Sequence, residues 1–140
     1  MVQIPVYLID DDEATLASTE FLLSALGVPA HSYSDPYLFL HSVSSLAPGC
    51  ILTDLRMPEM SGLELHAALV NRGVAWPVIL MSGHSALESN RDAIHPGIVA
   101  TLEKPFTRAR LMRVLGEASR ALTGARSDVD PNSRAPSAAG

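Results

Sequence analysis

"CILTDLRMPEMSGLELHAALVNRG", residues 50–73, contains one complete strand-then-helix unit. Its first five residues form an apolar run of strand length that ends in an acid, Asp54, as expected of a strand covered on both faces. Residues 62–73 then place apolar side chains at helical spacing. The same rhythm continues on both sides. Upstream, "IPVYLID" (4–10) predicts a short strand and "EATLASTEFLLSAL" (13–26) a helix, with Gly27 as its C-terminal stop. "VPAHSY" (28–33) is a weak strand, and "DPYLFLHSVSSL" (35–46) a helix capped by Asp35 with Pro36 in its first position. Downstream, "PVILMS" (77–82) is another buried strand, and residues 85–95 a polar helix stopped by Pro96 and Gly97. "IVATLE" (98–103) is the fifth strand, and "TRARLMRVLGEASRAL" (107–122) the last helix, capped by Thr107. Five such repeats predict an α/β fold, (βα)5, with a doubly wound parallel five-stranded sheet covered on both faces.

Composition bounds the rest. The chain has 140 residues, 47% apolar and 18% charged, which is the size and balance of one globular domain. We assign residues 1–122 to that domain. Residues 123–140, "TGARSDVDPNSRAPSAAG", are expected to be a disordered tail or linker. A net charge of -5 argues against nucleic-acid binding by this segment. No apolar stretch approaches the roughly 20 residues of a membrane span. The N-terminus lacks the basic flank and cleavage site of a signal peptide. A lone cysteine, Cys50, cannot form an internal disulfide, which fits a reducing cytoplasm; it reads as a small buried hydrophobe.

The polar residues at the strand ends carry the chemistry. Strand one ends in Asp10, Asp11 and Asp12, strand three in Asp54, strand four in Ser82 and strand five in Lys104. Ligands of open parallel sheets bind outside the carboxyl ends of the strands, so these groups converge on one rim. In the strand order 2-1-3-4-5, Asp10 and Asp11 lie beside Asp54. Carboxylates so close repel one another unless a cation sits among them, and hard oxygen ligands suit Mg2+. Lys104 adds a mobile positive charge and Ser82 a hydroxyl, a set that suits a phosphoryl group. There is no Gly-rich phosphate loop. Asp54, alone on the central strand, is the candidate acceptor, since a carboxylate can itself take a phosphoryl group. Asp12 and Glu13 read instead as the N-cap and first-turn acid of helix one. His31, His41, His66 and His95 show no ligand-like spacing and are expected at the surface or its boundary, while Met57, Met60, Met81 and Met112 are expected to pack.

With "IDDDE", "TDLRMPEMSGLEL", "MSGH" and "EKPF" in this order over residues 4–122, the sequence resembles the receiver domain of bacterial two-component response regulators. It looks most like the FixJ-type subgroup, whose members usually carry a helix-turn-helix output domain. The resemblance implies a CheY-like, flavodoxin-like fold and a cytoplasmic signalling protein rather than a turnover enzyme. It implies that a sensor histidine kinase or phosphotransfer protein phosphorylates Asp54. Asp11 would bind Mg2+ directly (Mn2+ as a substitute), Asp10 largely through water, with Asp54 and the Arg56 backbone carbonyl completing the protein ligands. Ser82 and Lys104 would bind phosphoryl oxygens. Arg56 and His84 would flank the phosphoryl position and tune dephosphorylation. Pro105, often cis in this family, would fix the loop that aims Lys104. The face built from the helix over 85–95, strand five and the last helix would serve output or homodimer formation.

Two departures stand out. The family usually has Tyr or Phe three residues before the lysine, an aromatic that turns inward on activation; here that position is Thr101. Asn90 and Arg91 stand where small apolar residues are common. Together they imply intact phosphorylation chemistry with a diverged readout. Two other readings stay open here. One is a pseudo-receiver that acts only as an interaction module. The other is a haloacid-dehalogenase-type phosphatase, whose order Asp10-x-Asp12, Ser82, Lys104 imitates, although it leaves the Asp54 motif unexplained.

Overall fold

The apolar runs pair side by side because each presents side chains alternately to two opposite faces. In the computed structural model, which describes residues 4–83 and 96–128, the strands are β1 (Val6–Ile9), β2 (Ala30–Tyr33), β3 (Cys50–Asp54), β4 (Val78–Ser82) and β5 (Ile98–Glu103). They form one parallel sheet in the order β2-β1-β3-β4-β5. Helices α1 (Glu13–Ala25), α2 (Pro36–Ser42), α3 (Gly62–Asn71) and a last helix (Arg108–Asp128) cover it. Val6, Leu8, Cys50, Leu52, Ile79 and Met81 pack with α1 and the last helix; Tyr7, Ile9, Ile51 and Leu80 pack with α2 and α3. The sheet is therefore wound on both faces, and the three central strands are buried along their whole length. β2, at the edge, buries little, which is why its sequence reads as a weak strand.

The local signals are largely met. The Asp12 carboxylate accepts hydrogen bonds from the Ala14 and Thr15 N–H groups at the start of α1, and Asp35 accepts one from Tyr37 N–H. Thr107 Oγ1 accepts from Arg110 N–H at 3.1 Å, and Gly27 closes α1 with a φ of 77°. Cys50 is fully buried, and Met57, Met60, Met81 and Met112 all pack against the core.

Three expectations need amending. The helix expected over 35–46 ends at Ser42 and gives way to a 3-10 turn, Val43–Ser45. Ser42 Oγ donates to Leu38 O and Ser45 Oγ to Ser42 O, so hydroxyls compete for helix carbonyls there. The last helix continues six residues past 122, to Asp128, through a stretch expected to be linker; Ala and Arg are good helix formers, and the first proline after 122 is Pro131. His66 is buried at 5% exposure on the inner face of α3, not at the boundary. α3 also carries an unforeseen capping box: Ser61 Oγ accepts from Glu64 N–H while Glu64 Oε1 accepts from Ser61 N–H. The helix expected over 85–95, with Asn90 and Arg91, lies outside the described residues, as do His84, His95 and residues 129–140.

Candidate functional site

β1 and β3 are neighbours with Ile9 opposite Thr53, so the chain leaving β1 delivers Asp10 next to Asp54 at the end of β3. Asp10 and Asp54 are buried, at 1% and 8% exposure, whereas Asp11 is exposed. Carboxylate oxygens of all three lie within 4.8 Å of one another. β4 and β5 bring the remaining groups. Ser82 ends β4 and is buried. Its carbonyl accepts the Lys104 backbone N–H at 2.8 Å, which ties the loop after β5 to the end of β4. From that anchor the Lys104 ammonium reaches back across the rim, donating to Asp54 Oδ1 at 2.9 Å and to Asp10 Oδ2 at 3.1 Å. The next peptide, Lys104–Pro105, is cis.

Backbone donors complete the carboxylate environment. The Asp12 N–H donates to Asp10 Oδ1 at 2.9 Å, and the backbone of Arg56 favours the ionised form of the Asp54 carboxylate. The two neighbours of Asp11 thus part company: Asp10 turns into the site, while the Asp12 carboxylate turns out to cap α1. The hydrogen bonds from Thr15 and Ala14 hold the Asp12 carboxyl below the usual aspartate range, with the Lys104 charge adding to them. A phosphatase reading needs Asp10 and Asp12 in one pocket, and this geometry separates their side chains.

Burial pushes the Asp54 carboxyl above its ordinary range; the Lys104 ammonium pulls the other way without overcoming it, and Asp10 adds repulsion. For Lys104 the balance is reversed. Burial works against its charge, but the hydrogen bonds and attraction of Asp54 and Asp10 outweigh it and raise its pKa. The ammonium is therefore firmly charged, while ionised Asp54 is held at a cost. Three carboxylates face one ammonium, a surplus of two negative charges. That surplus, made of hard oxygens at one rim, fits a divalent cation such as Mg2+.

Of the other predicted residues, Arg56 is exposed just beyond Asp54, and Thr101 is half-buried in mid-β5 opposite Leu80. A hollow of about 480 Å3 borders the site, where Lys104, Pro105 and Phe106 face Thr15, Ser18 and Leu22 of α1. Sequence reasoning missed one contributor, Gly62 at the start of α3, which lies against the Asp54 backbone. Its place inside the "TDLRMPEMSG" run was the available signal.

Residues 6–116 match the family described as the response regulator receiver domain. "Transcriptional regulatory protein FixJ" of Azorhizobium caulinodans is 40% identical over 109 residues, covering 78% of this chain and 52% of that protein. "Response regulator protein TodT" of Pseudomonas putida is 36% identical over 107 residues, 76% of this chain and 47% of that protein. The chain thus spans about half the length of these curated relatives. Among solved structures, the crystal structure of FixJ-N superposes with a TM-score of 0.79 at 31% identity, covering 86% of this chain and 96% of that one. Full-length FixJ from B. japonicum gives 0.82 at 32% identity, covering 92% of this chain and 64% of that one.

Proposed function

The chain belongs to the response regulator receiver domains of two-component systems, and we propose that Asp54 is its phosphoacceptor. The observation that carries this reading is the bridge from Lys104 to both Asp54 and Asp10 at one buried rim. In the proposed reaction, Asp54 Oδ attacks the phosphorus of a phosphohistidine on a sensor kinase or phosphotransfer protein. The P–N bond breaks as the P–O bond forms, and the imidazole leaves with a proton from solvent. Asp54 then carries an acyl phosphate. Lys104 is placed to neutralise phosphoryl oxygens, and Ser82, at the end of the neighbouring strand, to donate its hydroxyl to one of them. Receiver domains bind Mg2+ at an acidic pocket; here Asp10, Asp11, Asp54 and the Arg56 carbonyl would hold it, and it would neutralise charge on the transferring group. Pro105 and the exposed Arg56 border the site, the latter with His84 as a tuner of dephosphorylation.

We assign the donor's approach to the hollow beside Lys104, because it adjoins the ammonium and is otherwise lined by hydroxyls and apolar groups. Thr101 in place of an aromatic supports an output face that reads phosphorylation differently, and whichever partner or second copy uses it would meet β5 and the last helix. The domain boundary falls in this reading near residue 122, with the remainder as linker even where it is helical. Nothing here calls for nucleic-acid or membrane contact; among the described residues no helix is long and apolar enough to cross a membrane. We place the domain in the cytoplasm, with its kinase.

The test is direct. The full chain is incubated with Mg2+ and acetyl phosphate and examined by intact mass. A phosphoryl adduct labile to hydroxylamine, absent in Asp54→Asn and absent with chelator, is expected. No adduct from acetyl phosphate or from any kinase would return the pseudo-receiver reading.

A further inference from the structure

Gly62 sits where α3 meets the end of β3, and its Cα faces the backbone of the residue that would be phosphorylated. A Cβ at position 62 would lie 2.7 Å from the Asp54 carbonyl oxygen, 2.8 Å from Leu80 Cδ2 and 3.3 Å from Leu55 Cα. The first contact is with backbone, which cannot swing aside as a side chain can. The peptide unit after Asp54 is held from three sides. The Asp54 carbonyl abuts Gly62 and accepts the Thr53 hydroxyl at 3.1 Å. The Leu55 N–H donates to Met81 O at 2.8 Å, and the Leu55 carbonyl accepts the Gly62 N–H at 2.8 Å. The Ser61–Glu64 capping box clamps the helix turn that does the pressing. The next residue, Arg56, follows directly on this unit.

We propose that Gly62 is a positioning residue for phosphoryl transfer: its missing side chain lets the first turn of α3 seat against the Asp54 carbonyl and so sets where the Asp54 carboxylate and the Arg56 backbone point. The inference rests on Asp54 being the acceptor. Reactive groups work within about 0.5 Å of their productive geometry, and an error near 1 Å costs on the order of a hundredfold in rate. A methyl at 62 must push the carbonyl away by several tenths of an ångström, because it would sit closer than side-chain carbons approach an oxygen.

The test compares full-length wild type, Gly62→Ala, Leu80→Val and the double variant. Phosphorylation by acetyl phosphate with Mg2+ is followed by intact mass, and Mg2+ affinity by titration calorimetry. Leu80→Val alone removes the Cδ2 contact and should stay near wild type. Gly62→Ala should lose about tenfold in rate, with a severalfold weaker Mg2+ affinity, because Arg56 moves with the carbonyl. The double variant should stay impaired, since the carbonyl contact persists. Rescue by Leu80→Val, or a Gly62→Ala protein with wild-type rate and affinity, overturns the proposal. If Gly62→Ala does not fold, Ser61→Ala decides: it loosens the same turn at a half-buried cap, and an unchanged rate overturns the proposal. A wild-type chain that takes no phosphoryl group overturns the acceptor reading itself, a result separate from any difference among the variants.

Discussion

The Lys104 ammonium stands 2.9 Å from Asp54 Oδ1 and shares its remaining reach with Asp10, so a single cation holds two buried carboxylates together. Lys104→Met removes that cation and leaves Asp10 and Asp54 facing each other with no counter-charge. Breaking a buried pair by removing one partner costs roughly 3–5 kcal/mol; with Lys104 28% exposed, solvent screening reduces the expected loss to about 2 kcal/mol. Saturating Mg2+ should recover most of it, because it supplies the missing positive charge to the same oxygens. Urea unfolding with and without Mg2+ measures both. Equal stability of wild type and variant in the absence of metal would show that the bridge contributes nothing.

Asp54 gives a pH signature of the opposite kind to an ordinary salt-bridged carboxylate. Burial raises its pKa despite the Lys104 hydrogen bond. A raised folded pKa means that its contribution to stability is fully present below the unfolded value, about 3.9, and is lost as pH rises through the folded value. Without metal, Asp54→Asn should therefore gain on wild type as pH rises from 3 towards neutrality, and the two curves should converge in acid. Mg2+ should abolish the difference by favouring the ionised carboxylate in wild type alone. Paired denaturant midpoints across that range, at fixed ionic strength, measure it; a gap that widens towards acid would refute the burial account.

Much of this was legible because each signal acts locally or along one strand. "CILTD" and "PVILMS" are continuously apolar because β3 and β4 are covered on both faces, and in a parallel sheet the groups at their carboxyl ends must share a rim. What was not legible depends on contacts across the chain. His66 lies one residue from Leu65 on a helix, and only the docking of α3 decides that both point inward. The bridge from Lys104 to Asp10, 94 residues away, likewise exists only in the fold, whereas the role of Asp12 as cap of α1, with backbone donors two and three residues on, was readable locally. The closeness of Gly62 to the Asp54 carbonyl exists only once the loop between them has folded back. The last helix outran its expected end because composition marks a linker more readily than it marks the continuation of a helix already nucleated.

Cys50 is buried in the central strand, and burial pushes its thiol up to about 12. In the unfolded chain a thiol ionises near 8.5. Its contribution to stability is thus intact below the unfolded value and lost as pH rises towards the folded one. In that window the unfolded state has released a proton that the folded state keeps, so stability should fall by up to about 1.4 kcal/mol per pH unit from this residue. Cys50→Ala should be less stable than wild type at pH 7 because it leaves a small cavity, yet fall less steeply above pH 9. In native protein the thiol should resist alkylation at pH 8 and react fully in denaturant. Parallel slopes for wild type and Cys50→Ala between pH 9 and 11 would show that the thiol ionises freely in the fold.

Ser18 separates chemistry at the rim from delivery of the phosphoryl group to it. It is exposed on α1 and lines the hollow that Lys104 and Phe106 also border. Ser18→Arg would put a long cation in that hollow without touching Asp10, Asp54 or Lys104, and an exposed helix position should tolerate it within about 0.5 kcal/mol. If a partner's phosphohistidine reaches Asp54 through this hollow, transfer from a kinase that phosphorylates wild type should fall at least tenfold, about 1.4 kcal/mol or more. Acetyl phosphate is small enough to enter from open solvent, and its rate should change by no more than about twofold, 0.4 kcal/mol. The two donors are compared on the same preparations, with Phe106→Ala as a second probe of the hollow's opposite wall. Equal loss with both donors would mean that the arginine disturbs the rim itself. Equal retention with both would place the kinase elsewhere on the surface and remove the hollow from the path of the phosphoryl group.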